Sequence, residues 1–308
     1  MIIGHQRILN FFEKSINNNR LSHAYLFFGP ESVGKQKIAI ELIKMLNGQE
    51  SYSAVHPDVL IIKPEILENN KIKKESEIGI GQARKIQRQM SLSPYSAPYK
   101  IALIDNAEKM TSEASNCLLK TLEEPTGNSV LILITSNFNS LLPTICSRCQ
   151  LIKFLPVPNE EIKNGLNSVL DDNIVEKIVQ LSNGRPGVAV KYLENPKMID
   201  DKDKAIDQLE KLIGADLNDR YKFVEKISKD IVQAKYNLGC WMFWFRDLIL
   251  AKVGCPELAV YSRAAQYNNN YSLAKLRRII QAIKKTSEIL NNSSFNSRLA
   301  LEVLMLEL

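Results

Sequence analysis

The sequence lacks any apolar run near the roughly 18 residues needed to cross a membrane. Its first residues, MIIGHQRILNFFEKS, lack the charged, apolar and cleavage regions of a secretory signal. Cysteine is scarce, with five scattered over 308 residues, and such an odd set argues against a disulfide scaffold. Internal repeats and low-complexity tracts are missing as well. We therefore expect a globular protein of the reducing cytoplasm.

The charge balance is mildly basic. Lysine and arginine number 40 against 34 aspartates and glutamates, which gives a net charge of +6. This excess is compatible with contact to an anionic polymer, yet a dedicated DNA-reading protein usually clusters its basic residues more strongly. At roughly 150 residues per domain, the length predicts about two domains.

Short apolar runs alternate with helical patterns over residues 1–156. Runs of four or five such residues are typical of strands buried in a parallel sheet with helices on both faces. They lie at residues 24–28, 59–62, 101–104, 130–134 and 151–155. The polar stretch 67–78 is predicted to be an exposed loop. Thr111 is predicted to cap a helix that Pro125 ends.

The pattern changes at Pro156-Val157-Pro158, which is typical of a hinge. Beyond it no comparable strand-like run follows, and residues 200–308 carry helical spacing. One helix combines an apolar stripe with a basic face over residues 275–285. That face is either a solvated surface or one that contacts nucleic acid or a partner. The stripe consists of Leu273, Leu276, Ile280, Ile283 and Leu290, and the basic face of Lys275, Arg277, Arg278, Lys284 and Lys285.

The segment Gly29-Pro-Glu-Ser-Val-Gly34-Lys35 follows an apolar strand and opens a helix, which is the context of a phosphate-binding loop. Its glycines let backbone N–H groups converge on phosphate oxygens, and the helix N-terminus adds positive potential. Lys35 would then reach the outer phosphates. The next residue normally carries a hydroxyl for Mg²⁺, but here it is Gln36, whose amide oxygen is a poorer ligand.

Asp105 follows the strand at 101–104, where a carboxylate would hold the magnesium shell of a nucleotide-hydrolysing domain. A strand-end or helix-capping acid is the alternative. The next position normally carries a carboxylate that activates the attacking water, but Asn106 cannot take a proton. Glu108 is expected to point elsewhere.

Cys146-Ser-Arg-Cys149 forms a CxxC pair, so a zinc or redox site must be weighed. Zinc needs about four ligands, and neither a second such pair nor a nearby histidine pair accompanies these cysteines. We therefore predict no metal site, and without other context Arg148 would be an ordinary surface ion-pair residue.

Several linked motifs resemble, in the same order, those of the bacterial DNA polymerase III clamp-loader family, and most closely its delta-prime type of subunit. The motifs lie at residues 20–30, 56–58, 101–110, 116–125 and 147–149, with a further match at 296–304. The resemblance implies an AAA+ P-loop domain over 1–156, a small helical lid over 157–197 and an all-helical collar over 198–308. Many relatives carry a four-cysteine zinc module, but residues 46–57 hold no cysteine.

The resemblance also implies roles for individual residues. The family assembles rings in which ATP lies between neighbours, and it loads a sliding clamp onto primed DNA. Ser147 and Arg148 match its arginine-finger motif, which acts on the ATP of the adjacent subunit. Thr135, or the Ser136 or Asn137 after it, stands where the family has its first nucleotide sensor. The register of a second-sensor arginine in the lid holds Gly187, and Arg185 is displaced from it.

The departures Gln36, Asn106 and Gly187 all concern a subunit's own ATP, whereas the finger motif is kept. This asymmetry predicts a stator-like subunit with a weak or degenerate ATP/Mg²⁺ site, and the missing cysteine module predicts no zinc. The implied partners are gamma/tau and delta subunits and, through the complex, the sliding clamp and primer-template DNA. Alternatives are an ATP-hydrolysing gamma/tau-type or other AAA+ motor, and a nucleic-acid-binding module that uses the face at 275–285. A nucleotide kinase fits less well, because no acceptor-site motif follows.

Overall fold

The computed structural model describes residues 2–48, 56–64, 66–69, 72–166, 172–291 and 295–308. The chain divides into two units, Met1–Lys191 and Tyr192–Leu308. The first unit combines helices with a sheet, and the described part of the second unit is helical. The finer boundaries at residues 156 and 197 stay predictions.

Five parallel strands form the main sheet of the first unit, which confirms the α/β prediction. In chain order the strands are β1 (Ala24–Phe28), β2 (Val59–Ile62), β3 (Ile66–Asn69), β4 (Ile72–Glu75), β5 (Lys100–Ile104), β6 (Ser129–Thr135) and β7 (Gln150–Lys153). The order in the sheet is β2-β5-β6-β1-β7, so β1 lies between β6 and β7.

β3 and β4 form a separate antiparallel pair, in which Ile66 is opposite Glu75 and Asn69 is opposite Ile72. The prediction of an exposed loop over 67–78 was therefore wrong. Paired strands satisfy their backbone N–H and C=O groups through each other, whatever the polarity of the side chains. A polar sequence alone thus does not exclude a two-stranded ribbon.

Helices cover both faces of the main sheet, because successive residues of a strand point to opposite sides. Tyr25 and Phe27 of β1 pack with Phe12 and Leu42 on one face. Leu26 packs with Ile86 and Leu118 on the other face. The helices of this unit are α1 (Gln6–Asn17), α2 (Lys35–Asn47), α3 (Ile80–Met90), α4 (Ser112–Glu123), α5 (Pro143–Cys146), α6 (Asn159–Leu166), α7 (Asp172–Ser182) and α8 (Pro186–Glu194), of which α8 runs on into the second unit.

The start of α4 confirms the predicted cap, since the Thr111 hydroxyl accepts a hydrogen bond from the Ala114 N–H at 3.2 Å. An N-cap of this kind satisfies a backbone donor that has no partner inside the helix. Short 3₁₀ turns lie at Ala107–Lys109 and Phe138–Ser140.

The second unit contains α9 (Lys197–Ile213), α10 (Leu217–Ile227), α11 (Ile231–Lys252), α12 (Leu273–Asn291) and α13 (Ser297–Glu307), with 3₁₀ turns at Pro256–Leu258 and Ser262–Asn270. The buried aromatic rings of Trp241, Trp244 and Phe245 on α11 form much of its core. None of the described helices has the length and apolar character needed to span a bilayer.

The basic face lies on α12. Leu276, Ile283 and Leu290 of the predicted stripe are buried, but Leu273 is exposed and Ile279 is buried in place of Ile280. The basic residues Arg277, Arg278, Lys284 and Lys285 are exposed to solvent. This is the arrangement of a helix packed on its neighbours with a solvated charged face.

Candidate functional site

The phosphate loop, residues 29–34, connects the end of β1 to the start of α2. Gly29 has φ of 149°, and a Cβ there would overlap the carbonyl of Phe154, so only glycine fits. The Lys35 Nζ donates hydrogen bonds to the carbonyls of Gly29 at 2.5 Å and Pro30 at 2.7 Å. The structure thus places a largely buried cation within the loop, beside the N–H groups of the first turn of α2, which include that of the half-buried Gln36.

The charges of three carboxylates act on the Lys35 ammonium. Burial lowers the pKa of Lys35, and the negative charges of Glu108, Glu31 and Asp105 partly oppose that effect, in this order. A buried ammonium group that keeps nearby anions keeps more of its charge than an isolated one would. The loop therefore has the cation that phosphate binding requires.

Asp105 directly follows β5, and its Oδ1 accepts a hydrogen bond from the Asn106 N–H at 3.1 Å. Burial raises the pKa of Asp105, while the charge of Lys63 lowers it. Asn106 adopts a left-handed conformation with φ of 57° and opens the 3₁₀ turn at Ala107–Lys109. Asp105 makes the hydrogen bond of a strand-end acid and also lies at the phosphate-loop end of the sheet, as a magnesium-shell carboxylate would.

Glu108 lies in the same cluster, contrary to the expectation that it would point elsewhere. Its Oε1 accepts hydrogen bonds from the Ser136 hydroxyl at 2.6 Å and the Ser136 N–H at 3.2 Å. Burial raises the pKa of Glu108, but the hydrogen bonds from Ser136 and Thr135 outweigh it and leave the pKa below its usual value. The left-handed Asn106 directly precedes the 3₁₀ turn that carries Glu108.

Thr135 is fully buried at the end of β6 and is paired with Phe28 at the end of β1. The residue predicted as a first sensor therefore lies beside the start of the phosphate loop. Its hydroxyl accepts the Asn137 N–H at 3.0 Å, and the adjacent Ser136 contacts Glu108. The three alternatives for this role thus share one strand end.

These residues fit a phosphate group with its magnesium ion. The Oε2 of Glu108 is buried and has no hydrogen-bond partner among the described residues, so it has a free acceptor. Asp105 lies near enough to Glu108 for their charges to interact, and the two carboxylates offer oxygen donors of the kind that Mg²⁺ prefers. The residues that would hold phosphate are Gly29, Gly34 and Lys35, and a bound magnesium ion would neutralise phosphate charge.

The start of α8 touches the phosphate loop directly. The Gly187 N–H donates a hydrogen bond to the Ser32 carbonyl at 2.8 Å. A Cβ at Gly187 would lie 2.8 Å from that oxygen, so no longer side chain fits in this arrangement. The Arg185 Nε donates to the Ser182 carbonyl at 3.3 Å, in the turn between α7 and α8. Gly187 has no side chain that could act as a second sensor, and the Arg185 side chain is turned back to the backbone at Ser182.

We expect Gly187→Ala to lower the free energy of unfolding by about 1–3 kcal/mol, because the methyl group would press on the loop backbone. Gly81 is a matched control, since it is also the second residue of its helix and a Cβ there would meet nothing within 4 Å. Gly81→Ala should leave the stability unchanged or raise it by up to ~1 kcal/mol. Chemical unfolding of both variants measures the difference, and equal effects would contradict the close contact.

Ser147 and Arg148, the residues predicted as an arginine-finger motif, lie between two buried residues, Ile145 and Cys149. Burial raises the pKa of Cys149 to about 12, so its thiol stays protonated and packs as a small apolar group. The Thr144 carbonyl accepts hydrogen bonds from the Ser147 hydroxyl at 3.1 Å and from Arg148 Nη1 at 2.9 Å. The two residues of the motif therefore meet at one acceptor.

The Arg148 guanidinium also pairs with Glu123, at 2.7 Å from Nη2 to Oε1. The side chains remain 35% and 49% exposed, respectively, so the pair lies at the surface of the chain. An exposed ion pair of this kind is weak. A more highly charged anion can therefore compete for Arg148.

Arg148 lies near the amino-terminal ends of the parallel strands, and the phosphate loop lies at their carboxy-terminal ends. Gln150 at the start of β7 pairs with Tyr25 near the start of β1, and both strands run in parallel. The loop follows the end of β1. The five residues of this strand, at about 3.3 Å each, separate its two ends by roughly 13–16 Å. Arg148 therefore cannot serve the phosphate loop of its own chain in this conformation.

No group of three or more histidine, cysteine, aspartate or glutamate side chains among the described residues is arranged to hold a metal ion. Most of the segment that would carry the zinc module, residues 49–55, lies outside that part of the chain. That this segment has no cysteine is known from the sequence alone.

The chain is similar to known replication proteins. The family model described as DNA polymerase III, delta subunit matches residues 4–158. Subunit delta' of DNA polymerase III from Bacillus subtilis is 26% identical over 286 residues, which cover 87% of this chain and 84% of that protein. Subunit tau of the same species is 29% identical over 175 residues, 55% of this chain and 31% of that protein.

The fold is also found among solved structures. A DNA polymerase III gamma subunit-related protein from Thermotoga maritima superposes with a TM-score of 0.52 at 20% identity, covering 96% of this chain and 97% of that one. This likeness concerns the fold alone. The similarity to delta' extends over most of both sequences, whereas that to tau covers little more than half of this chain.

Proposed function

The chain belongs to the DNA polymerase III delta-subunit family of AAA+ clamp-loader proteins, and from that membership we propose that it is a stator-like, delta-prime-type subunit. In this role it helps to load the sliding clamp onto primed DNA in the cytoplasm. Its neighbours would be gamma/tau and delta subunits, and it would meet the clamp and primer-template DNA through the assembled complex.

The observation that carries the proposal is the separation of Arg148 from the phosphate loop of its own chain. A guanidinium at the surface, one strand length from that loop, is suited to an ATP site on a neighbouring subunit. Its planar fork can bond two phosphate oxygens at once. Ser147 donates to the same Thr144 carbonyl as Arg148, so both residues of the proposed arginine finger are held at one acceptor.

The chain's own site supports the non-hydrolysing half of the proposal. Gln36 replaces the hydroxyl that helps to hold Mg²⁺, and Asn106 replaces the carboxylate that would accept a proton from water. Gly187 replaces a lid arginine and rests against Ser32. We infer that ATP and Mg²⁺ bind weakly here, and that the subunit's own ATPase activity is absent or weak.

We expect the isolated chain to show no ATP turnover above background, because Asn106 stands where a carboxylate would activate the attacking water and Gln36 where a hydroxyl would help to hold Mg²⁺. The measurement is steady-state phosphate release, with Lys35→Ala as the control for any turnover that depends on this site. Robust turnover that Lys35→Ala abolishes would contradict the stator role. It would favour a gamma/tau-type motor instead, for which the retained phosphate loop and Lys35 are the supporting observation.

A further inference from the structure

We propose that Glu123 is a positioning residue for Arg148, one that fixes the guanidinium in the orientation from which it reaches the neighbour's nucleotide. The inference rests on the function proposed above and adds Glu123 to the two residues, Ser147 and Arg148, that carry it. Glu123 is the last residue of α4, and Arg148 follows α5 by two positions, so the pair connects two separate helices.

The guanidinium is held at both terminal nitrogens. Nη2 lies 2.7 Å from Glu123 Oε1, and Nη1 donates to the Thr144 carbonyl at 2.9 Å. Two acceptors on different helices fix the plane of the group as well as its position. An arginine has five N–H donors, so these two bonds leave others for phosphate oxygens without release of Glu123.

The local structure alone does not account for a carboxylate at this place. The carboxyl end of a helix is its negative end, where an acidic side chain is unfavourable. An ion pair with 35% and 49% exposed side chains also adds little to folding stability. What the pair does provide is order, because a long side chain held in one rotamer loses less conformational freedom when it binds its target.

The opposite role, an inhibitory contact that hides Arg148, fits the geometry less well. A single half-exposed carboxylate competes poorly with the several charges of a nucleoside triphosphate. The two roles predict opposite effects of Glu123→Ala on the rate of ATP hydrolysis. Loss of a positioning residue slows the reaction, and loss of an inhibitory contact accelerates it.

The test uses the assembled clamp loader with clamp and primed DNA, and it follows ATP hydrolysis in single turnover. Arg148→Ala first identifies the kinetic phase of the ATP site next to this subunit. We expect Glu123→Ala to slow that phase about 10-fold, less than the ~100-fold that a 1 Å misplacement can cost, because the Thr144 carbonyl still holds Nη1. The ATP concentration at half-maximal rate should change less than twofold. Glu123→Gln should be intermediate, because its amide oxygen still accepts from Nη2.

Glu124, the exposed neighbour of Glu123, is the matched control, and Glu124→Ala should leave every phase unchanged. The double variant with Glu123→Ala and Arg148→Ala should be no slower than Arg148→Ala alone, a result that a purely structural role would not produce. Thermal unfolding of the isolated Glu123→Ala chain should stay within about 2 °C of the native chain.

Two outcomes separate this inference from the function it rests on. If Arg148→Ala removes a phase while Glu123→Ala leaves it unchanged or faster, the positioning role is wrong and the finger stands. If Arg148→Ala leaves all phases intact, the proposed function itself fails.

Discussion

Replacing Arg148 by alanine should slow ATP hydrolysis at the adjacent site by ~10³-fold or more, because arginine fingers contribute ~10³–10⁵ in rate in related phosphoryl-transfer reactions. The side chain lies at the surface and its ion pair with Glu123 is exposed. We therefore expect the variant to fold and to assemble normally. Clamp-stimulated ATPase activity of the reconstituted complex measures the loss, and gel filtration measures the assembly.

Arg148→Lys is the informative companion, since it keeps the charge and removes the planar fork. A finger that bonds two phosphate oxygens should recover only part of its rate with lysine. Unchanged activity in Arg148→Ala would contradict the finger. Loss of assembly in that variant would instead make Arg148 an interface residue.

The largest expected effect on stability comes from Asp58→Ala, which should lower the free energy of unfolding by about 3–5 kcal/mol. The Asp58 carboxylate is fully buried and accepts the N–H groups of Tyr95, Ser96 and Ala97 at 2.7–2.9 Å. The Lys100 ammonium lies 2.9 Å from its Oδ1 and is itself buried. Removal of the Asp58 carboxylate would leave the buried Lys100 ammonium without a compensating charge.

Chemical unfolding measures this loss, and Glu41→Ala is the control, because the Glu41–Lys44 pair is only partly buried and should change the free energy by at most ~1 kcal/mol. Adding Lys100→Met to Asp58→Ala should restore part of the stability. If the single and double variants were equally unstable, the buried charge would not be the cause.

The same site predicts a pH dependence. Burial raises the pKa of Asp58, but the N–H groups of Ser96 and Tyr95 and the Lys100 ammonium outweigh it and hold the pKa well below its usual value. The stabilisation is therefore fully present above the unfolded-state pKa of about 3.9, and it is lost as the pH falls towards the folded-state pKa. Asp58→Ala should flatten this acid limb of the stability profile.

Local patterns predicted the elements well where burial determines the pattern. The strand at residues 101–104 and the Thr111 cap follow from apolar runs and one hydroxyl, and the structure has both. The ribbon of β3 and β4 was missed because backbone pairing, not apolar burial, defines it. Glu108 was missed because it lies on the 3₁₀ turn that directly follows the left-handed Asn106.

The contacts of the candidate site are the part that no local pattern contains. Glu123 and Arg148 meet only because α4 and α5 end at the same edge of the sheet. Asp58 meets the N–H of Ser96 across 38 positions of sequence. Spacing in a single sequence predicts neighbours on one helix or strand, but not which loops a fold brings together.

The placement of Arg148 and the phosphate loop at opposite ends of the parallel strands makes the chain directional. If Arg148 acts on a neighbour's nucleotide, as proposed, the chain offers a guanidinium from one surface and a phosphate loop on another, and these two unlike surfaces would meet in a heterologous contact. Such a chain is suited to head-to-tail succession. If the chain's own phosphate loop does not support ATP hydrolysis, the junction at that loop is inactive. The assembly then has fewer working ATP sites than it has junctions between subunits.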